Sequence, residues 1–112
     1  MLVLLVDDDK LVLEATADML EALGWQVLTA SSGADALGKL ERNQRVELLV
    51  TDINMPGLNG YELAERAKRR RSDLKVIFIS GGEIAASGLP LLRKPLVESE
   101  LARVMRAMNE TS

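Results

Sequence analysis

The sequence predicts an α/β doubly wound fold, and three observations carry that prediction. Five short apolar runs alternate with segments patterned for helices, and no linker, repeat or low-complexity stretch interrupts them across 112 residues. Four of the runs stop on polar residues: Asp7-Asp8 after Leu2–Val6, Asp52 after Leu48–Thr51, Ser80 after Val76–Ile79, and Lys94 after Leu91–Arg93. Apolar runs of this length read as strands buried on both faces of a parallel sheet. Strand-then-helix alternation makes such a sheet, with right-handed crossovers covering both faces.

The elements follow in order. The first strand is Leu2–Val6. A helix over Lys10–Leu23 follows, with Asp9 as its N-cap and Val12, Ala15, Met19 and Leu23 spaced for one buried face. Gly24 is placed to close it as a left-handed residue. The second strand is Trp25–Thr29, and Ser31 or Ser32 caps a helix through Ala34, Leu37 and Leu40. The third strand, Glu47–Thr51, runs into Met55-Pro56-Gly57-Leu58-Asn59-Gly60, a loop by its proline, glycine and asparagine content. A third helix covers Tyr61–Arg71 and the fourth strand Lys75–Ser80. Gly81–Leu89, rich in glycine and alanine, has room for at most two helical turns. The fifth strand is Leu91–Arg93, and a last helix runs over Glu98–Asn109 with Leu101, Val104, Met105 and Met108 inward.

Composition narrows the chemistry. The chain is long enough for one domain, residues 1–112, to bury its core without disulfides. It has no cysteine, hence no disulfide framework, thiolate zinc site or thiol nucleophile. Nor has it histidine, the commonest general base and transition-metal ligand. Carboxylates, hydroxyls, lysine and backbone amides must therefore do the work. A net charge of −3 gives no electrostatic case for direct nucleic-acid binding. No apolar run approaches the ~20 residues of a membrane span, and nothing resembles a signal peptide. The expected location is cytoplasmic.

In an open parallel sheet, the carboxyl ends of the strands share one edge, and ligands bind there. Asp7, Asp8, Asp52, Ser80 and Lys94 would converge on it. Magnesium is a hard cation that takes oxygen ligands, often one or two carboxylates plus a phosphate. A carboxylate attacking an anionic phosphoryl group needs that charge offset, which a metal and a lysine provide. Each residue also has a plainer reading. Asp7-Asp8 could be a solvated turn, Asp52 a turn initiator, Ser80 a loop start and Lys94 a surface lysine. Adjacent acids directly after a buried strand are costly without a cation, and the four strand ends act together, so the chemical reading prevails. The basic run Lys68-Arg69-Arg70-Arg71 reads as cations complementing a helix dipole. Trp25 and Tyr61 read as packing residues.

With these positions in place, the whole chain resembles the receiver domain of two-component response regulators. Val6-Asp7-Asp8-Asp9, Thr51-Asp52-Ile53-Asn54-Met55-Pro56 with Gly57 and Gly60, Ser80-Gly81 and Lys94-Pro95 carry the resemblance. It implies the flavodoxin-like strand order 2-1-3-4-5. It implies Asp52 as phosphoacceptor, and magnesium held by Asp7, Asp8, Asp52 and the backbone carbonyl of Asn54. Ser80 and Lys94 would contact the phosphoryl oxygens, and Lys94–Pro95 would be a cis peptide. The implied partner is a histidine kinase or histidine phosphotransfer protein, with no membrane contact by the domain and no enzymatic turnover.

Two features depart from that family. Only the short Gly81–Leu89 segment separates Ser80 from the fifth strand, so the usual fourth helix is shortened or missing. In this the chain resembles receivers attached to hybrid histidine kinases. The position three before Lys94 is Leu91, where the family commonly has a rotating Tyr or Phe. Two other functions compete. An aspartyl-phosphate phosphatase would need a second acid two residues after its nucleophile, where this chain has Asn54. A phosphorylation-independent scaffold would have no need for the complete acidic set and Lys94.

Overall fold

A computed structural model describes residues 2–81, 91–94 and 96–110. The elements are β1 (Leu2–Val6), α1 (Lys10–Ala22), β2 (Gln26–Ala30), α2 (Gly33–Arg42), β3 (Val46–Asp52), α3 (Gly60–Arg70), β4 (Lys75–Ser80), β5 (Leu91–Arg93) and α4 (Glu98–Glu110). The strands make one sheet in the order β2-β1-β3-β4-β5, with every neighbouring pair parallel. This is the order the resemblance implies. The expected loss of a helix after Ser80 concerns residues 82–90, which lie outside the described residues. So does Pro95, and with it the expected cis bond.

Alternation along each strand splits the core between the two faces of the sheet. Leu4, Val6, Leu49, Val76 and Phe78 pack on one face with Ala36 and Leu40 of α2 and Leu63, Ala64 and Ala67 of α3. Val3, Leu5, Leu48, Val50, Ile77 and Ile79 pack on the other with Leu13, Ala17 and Leu20 of α1 and Leu101 and Met105 of α4. Burying each of the Val, Leu, Ile, Phe and Met side chains among them contributes about 1.5–3 kcal/mol, and each alanine less. Tyr61 and Trp25 are packing residues, as expected; the Tyr61 ring lies tilted against Phe78 with centroids 4.8 Å apart.

Helix boundaries follow from local chemistry. Asp9 caps α1, its side chain accepting the N–H groups of Leu11 and Val12 at 3.0 and 3.3 Å. At the far end Gly24 has φ +96°, the Gly24 N–H reaches the Glu21 carbonyl at 3.0 Å, and that of Trp25 reaches Leu20 at 3.1 Å. That pair of bonds is a Schellman closure. Ser32, of the two candidate serines, caps α2 by accepting the Asp35 N–H at 3.0 Å. Asn59 and Glu62 cap α3 reciprocally, at 2.9 and 3.1 Å.

Two expectations need correction. The second strand begins at Gln26, one residue later than predicted, because Trp25 is spent on the Schellman closure. The buried face of α1 is Leu13, Thr16, Ala17 and Leu20, rather than Val12, Ala15, Met19 and Leu23. Both stripes have helical spacing, and the one predicted lies at the margin of the cover, with Met19 and Leu23 only partly buried against that core. The basic run is used more specifically than dipole compensation alone. Arg69 pairs with Glu65 at 2.5 Å and Arg70 with Glu41. Arg71 donates to the carbonyls of Asn43 at 3.4 Å, Gln44 at 3.1 Å and Val46, tying the end of α3 to the start of β3.

Candidate functional site

Because β1, β3, β4 and β5 run parallel, the residues at their carboxyl ends meet along one edge. β1 delivers Asp7 and Asp8. Asp7 is 2% exposed. Its backbone N–H donates to Ala30 at 3.2 Å, and its Oδ1 accepts the Asp9 N–H at 2.9 Å. Asp8 is exposed. β3 ends on Asp52, 5% exposed, whose following residue is fixed on both sides. The Ile53 N–H donates to Ile79 at 3.0 Å, and the Ile53 carbonyl accepts the Gly60 N–H at 2.9 Å.

β4 ends on buried Ser80, whose carbonyl accepts the Lys94 N–H at 2.9 Å. That bond carries the ladder one step past the Ser80–Arg93 register pair and sets Lys94 over the acids. Its Nζ lies 3.1 Å from Asp7 Oδ2 and 3.3 Å from Asp52 Oδ2. The second contact is a hydrogen bond. Asp7 Oδ2 is sealed from solvent and makes no well-directed hydrogen bond among the described residues, so its contact with the ammonium is mainly one of charge.

The charges disturb one another. Burial pushes the Asp52 carboxyl above its ordinary range; Lys94 pulls it back, and the neighbouring Asp7 and Asp8 push it up again, leaving it raised. Burial pulls the Lys94 ammonium down, but its close contacts with Asp7 and Asp52 outweigh that and hold it above its ordinary range. One oxygen each from Asp7, Asp8 and Asp52 lie within 4.8 Å of one another. Three carboxylates against one ammonium leave an excess of negative charge in a cleft made only of oxygen donors, with one buried oxygen short of a donor. Such a set fits a hard divalent cation.

The structure therefore brings together Asp7, Asp8, Asp52 and Lys94, with Ser80 on the adjoining strand. Asn54 sits exposed between buried Ile53 and Met55, two residues beyond Asp52. Sequence reasoning placed these groups but missed that Lys94 bridges two carboxylates, a matter of fold and not of any local motif. It also missed an apolar surface beside the site. Val12, Ala15, Thr16 and Met19 of α1 line a cleft of about 470 Å³ with Leu96 and Lys94. Leu11, next to it in sequence, is 78% exposed. A signal was available in the sequence, since the helical pattern between residues 11 and 23 holds two apolar stripes and one sheet face buries only one.

Comparison with known proteins supplies the context. The profile of the family described as the response regulator receiver domain matches residues 3–103. The sensor histidine kinase RcsC of Escherichia coli is 36% identical over 85 residues, 76% of this chain and 9% of that protein. The transcriptional regulatory protein AfsQ1 of Streptomyces coelicolor is 40% identical over 77 residues, 69% of this chain and 33% of that protein. The chain thus spans about a tenth to a third of these relatives. Among solved structures, the receiver domain of the hybrid histidine kinase CckA is 33% identical with a TM-score of 0.84, covering 96% of this chain and 97% of that one. A receiver domain protein of Clostridium thermocellum is 28% identical with a TM-score of 0.86, covering 98% and 95%. No helix among the described residues is long and apolar enough to cross a membrane.

Proposed function

The chain belongs to the response regulator receiver domain family, and on that premise we propose that residues 1–112 act as one magnesium-dependent phosphoacceptor unit in a phosphorelay. The observation that carries this reading is the Lys94 ammonium bridging Asp7 and Asp52 at 3.1 and 3.3 Å, with Asp8 close by. Asp52 is the acceptor. One of its oxygens attacks the phosphorus of the donor, the bond from phosphorus to the donor's nitrogen or oxygen breaks, and an acyl phosphate forms on Asp52. Asp7, Asp8, Asp52 and the Asn54 carbonyl would hold magnesium, which when bound would supply compensation for the charge on the phosphoryl oxygens. Lys94 offsets that charge from the other side, and Ser80 offers a hydroxyl at the neighbouring strand end. Positioning and charge compensation are most of what phosphoryl transfer requires of a protein.

The partner is a histidine kinase or a histidine phosphotransfer protein, acting in the cytoplasm on a domain that does not itself turn over substrate. Leu11, Val12, Ala15 and Met19 support a protein donor over a small-molecule one. They set an apolar contact surface directly beside Lys94, where a docked domain would present its phosphorylated side chain. The test is incubation with acetyl phosphate, with and without magnesium, followed by intact mass. Wild-type protein gains one phosphoryl group only with magnesium, and Asp52→Asn gains none. Label on Asp52→Asn at the wild-type rate refutes the assignment.

A further inference from the structure

We infer that Gly60, the first residue of α3, is a positioning residue for Asp52, an inference that rests on the phosphoacceptor reading. Of the two glycines that flank α3's entry, each is required for a different reason. Gly57 has φ +74°, and no atom among the described residues lies within 4 Å of where a β-carbon would go. Its need is conformational. Gly60 has no positive φ, so alanine suits its backbone, yet a β-carbon there would lie 2.3 Å from the Asp52 carbonyl oxygen and 2.8 Å from Ile53 Cα. Its need is space alone. Both atoms are backbone, so no change of rotamer relieves the clash.

The contact acts on the peptide that carries the acceptor. The Asp52 carbonyl also accepts the Thr51 hydroxyl at 3.0 Å. The Gly60 N–H holds the Ile53 carbonyl, while the Ile53 N–H is held by Ile79 of β4. Ile53 is thus clamped by its N–H to β4 and by its carbonyl to the start of α3, and α3 is itself fixed by the Asn59–Glu62 cap and by buried Leu63, Ala64 and Ala67. With both sides of the clamp rigid, an added methyl group must displace the end of β3. That movement shifts the Asp52 side chain relative to Asp7, Asp8 and Lys94 and moves Asn54 with it.

The experiment compares wild type, Gly60→Ala and Gly57→Ala by magnesium titration calorimetry, by acetyl phosphate labelling at saturating magnesium, and by amide exchange without metal. Gly60→Ala should weaken magnesium about 10-fold. It should slow labelling up to about 100-fold, the scale of an ångström's misplacement. Exchange at the Ile53 amide should quicken while β1 and β2 stay protected. Gly57→Ala should melt earlier yet bind magnesium within about 2-fold of wild type, since its strain does not reach Asp52. Should Gly60→Ala not fold, Asn59→Ala loosens the same clamp without adding atoms, and magnesium affinity well below its melting temperature should still fall. Wild-type affinity in whichever of these two variants is folded overturns the inference, as does an equal loss in Gly57→Ala. A wild-type protein that takes neither magnesium nor label overturns the phosphoacceptor reading as well.

Discussion

Replacing Lys94 with methionine isolates the charge that holds the acidic cleft together. At 3.1 and 3.3 Å, with an effective dielectric constant of about 20, each ammonium–carboxylate contact is worth roughly 5 kcal/mol of gross Coulomb energy. Most of that is cancelled by the cost of desolvating the three groups. Breaking a buried pair from one side typically costs about 3–5 kcal/mol. Lys94 keeps 25% of its side-chain surface in water, so its loss should cost nearer ~2 kcal/mol. For a domain of this size that lowers the melting temperature by about 8 °C in EDTA. Magnesium at 100 times its dissociation constant returns about 2.7 kcal/mol. In the wild type, magnesium must compete with the ammonium for Asp7; in Lys94→Met it does not. Differential scanning calorimetry with and without magnesium should show the larger metal-induced shift in Lys94→Met. The ammonium's pKa is raised in the folded state, so its contribution is complete below the ordinary lysine value and lost as pH rises through the folded one. The wild-type advantage in EDTA should accordingly hold through neutral pH, shrink in strong alkali as the ammonium is lost, and shrink in acid as the carboxyl groups it faces are protonated. Equal magnesium shifts in both proteins, or equal stability in EDTA, would refute the reasoning.

Other perturbations separate the parts. The folded Asp52 carboxyl has a raised pKa, so its ionisation costs stability: nothing below about pH 3.8, and progressively more as pH rises through the folded value. Asp52→Asn should therefore match the metal-free wild type in acid melts and exceed it at neutral pH; a lower neutral melting temperature would contradict this. Arg71→Ala frees the carbonyls of Asn43, Gln44 and Val46 and should cost about 1–3 kcal/mol in urea unfolding, with magnesium affinity unchanged. Asp9→Ala removes the α1 cap and should cost about 1 kcal/mol, read from the same denaturation curves.

The strand ends were legible because an apolar run in a parallel strand buried on both faces breaks off where polar groups are needed at the carboxyl edge. Asp7, Asp52 and Ser80 therefore mark where β1, β3 and β4 end. The short fifth strand was legible at the same residues for the same reason. What the sequence concealed depends on distance in space. Leu13 and Leu20 share helical spacing with Val12 and Met19, and only the placement of α1 on the sheet decides which stripe is buried. The Arg71 ties reach back 25 to 28 residues, and no local pattern announces them. Lys94 was legible at the end of the fifth strand, but its grip on Asp7 as well as Asp52 needed β5 laid beside β4. Gly60 stood in the motif without a reason until the Asp52 carbonyl was seen against it.

The basic run at the end of α3 has an electrical consequence beyond the bonds it makes. Arg42, Arg45, Lys68–Arg71 and Lys75 all lie where helices end or strands begin, while Asp7–Asp9 and Asp52 lie at the opposite edge. Glu21, Glu41, Glu47 and Asp73 offset part of the first group and Lys10 and Lys94 part of the second, yet each edge keeps a surplus of its own sign, a separation that the small net charge conceals. Such a field reaches about 10 Å into 0.1 M salt. A basic docking face on an approaching domain is turned toward the carboxyl edge before the surfaces touch, and an acidic one is turned away. On the phosphoacceptor reading, discrimination among donors begins in the encounter, as a salt-dependent association rate, ahead of any test of side-chain fit.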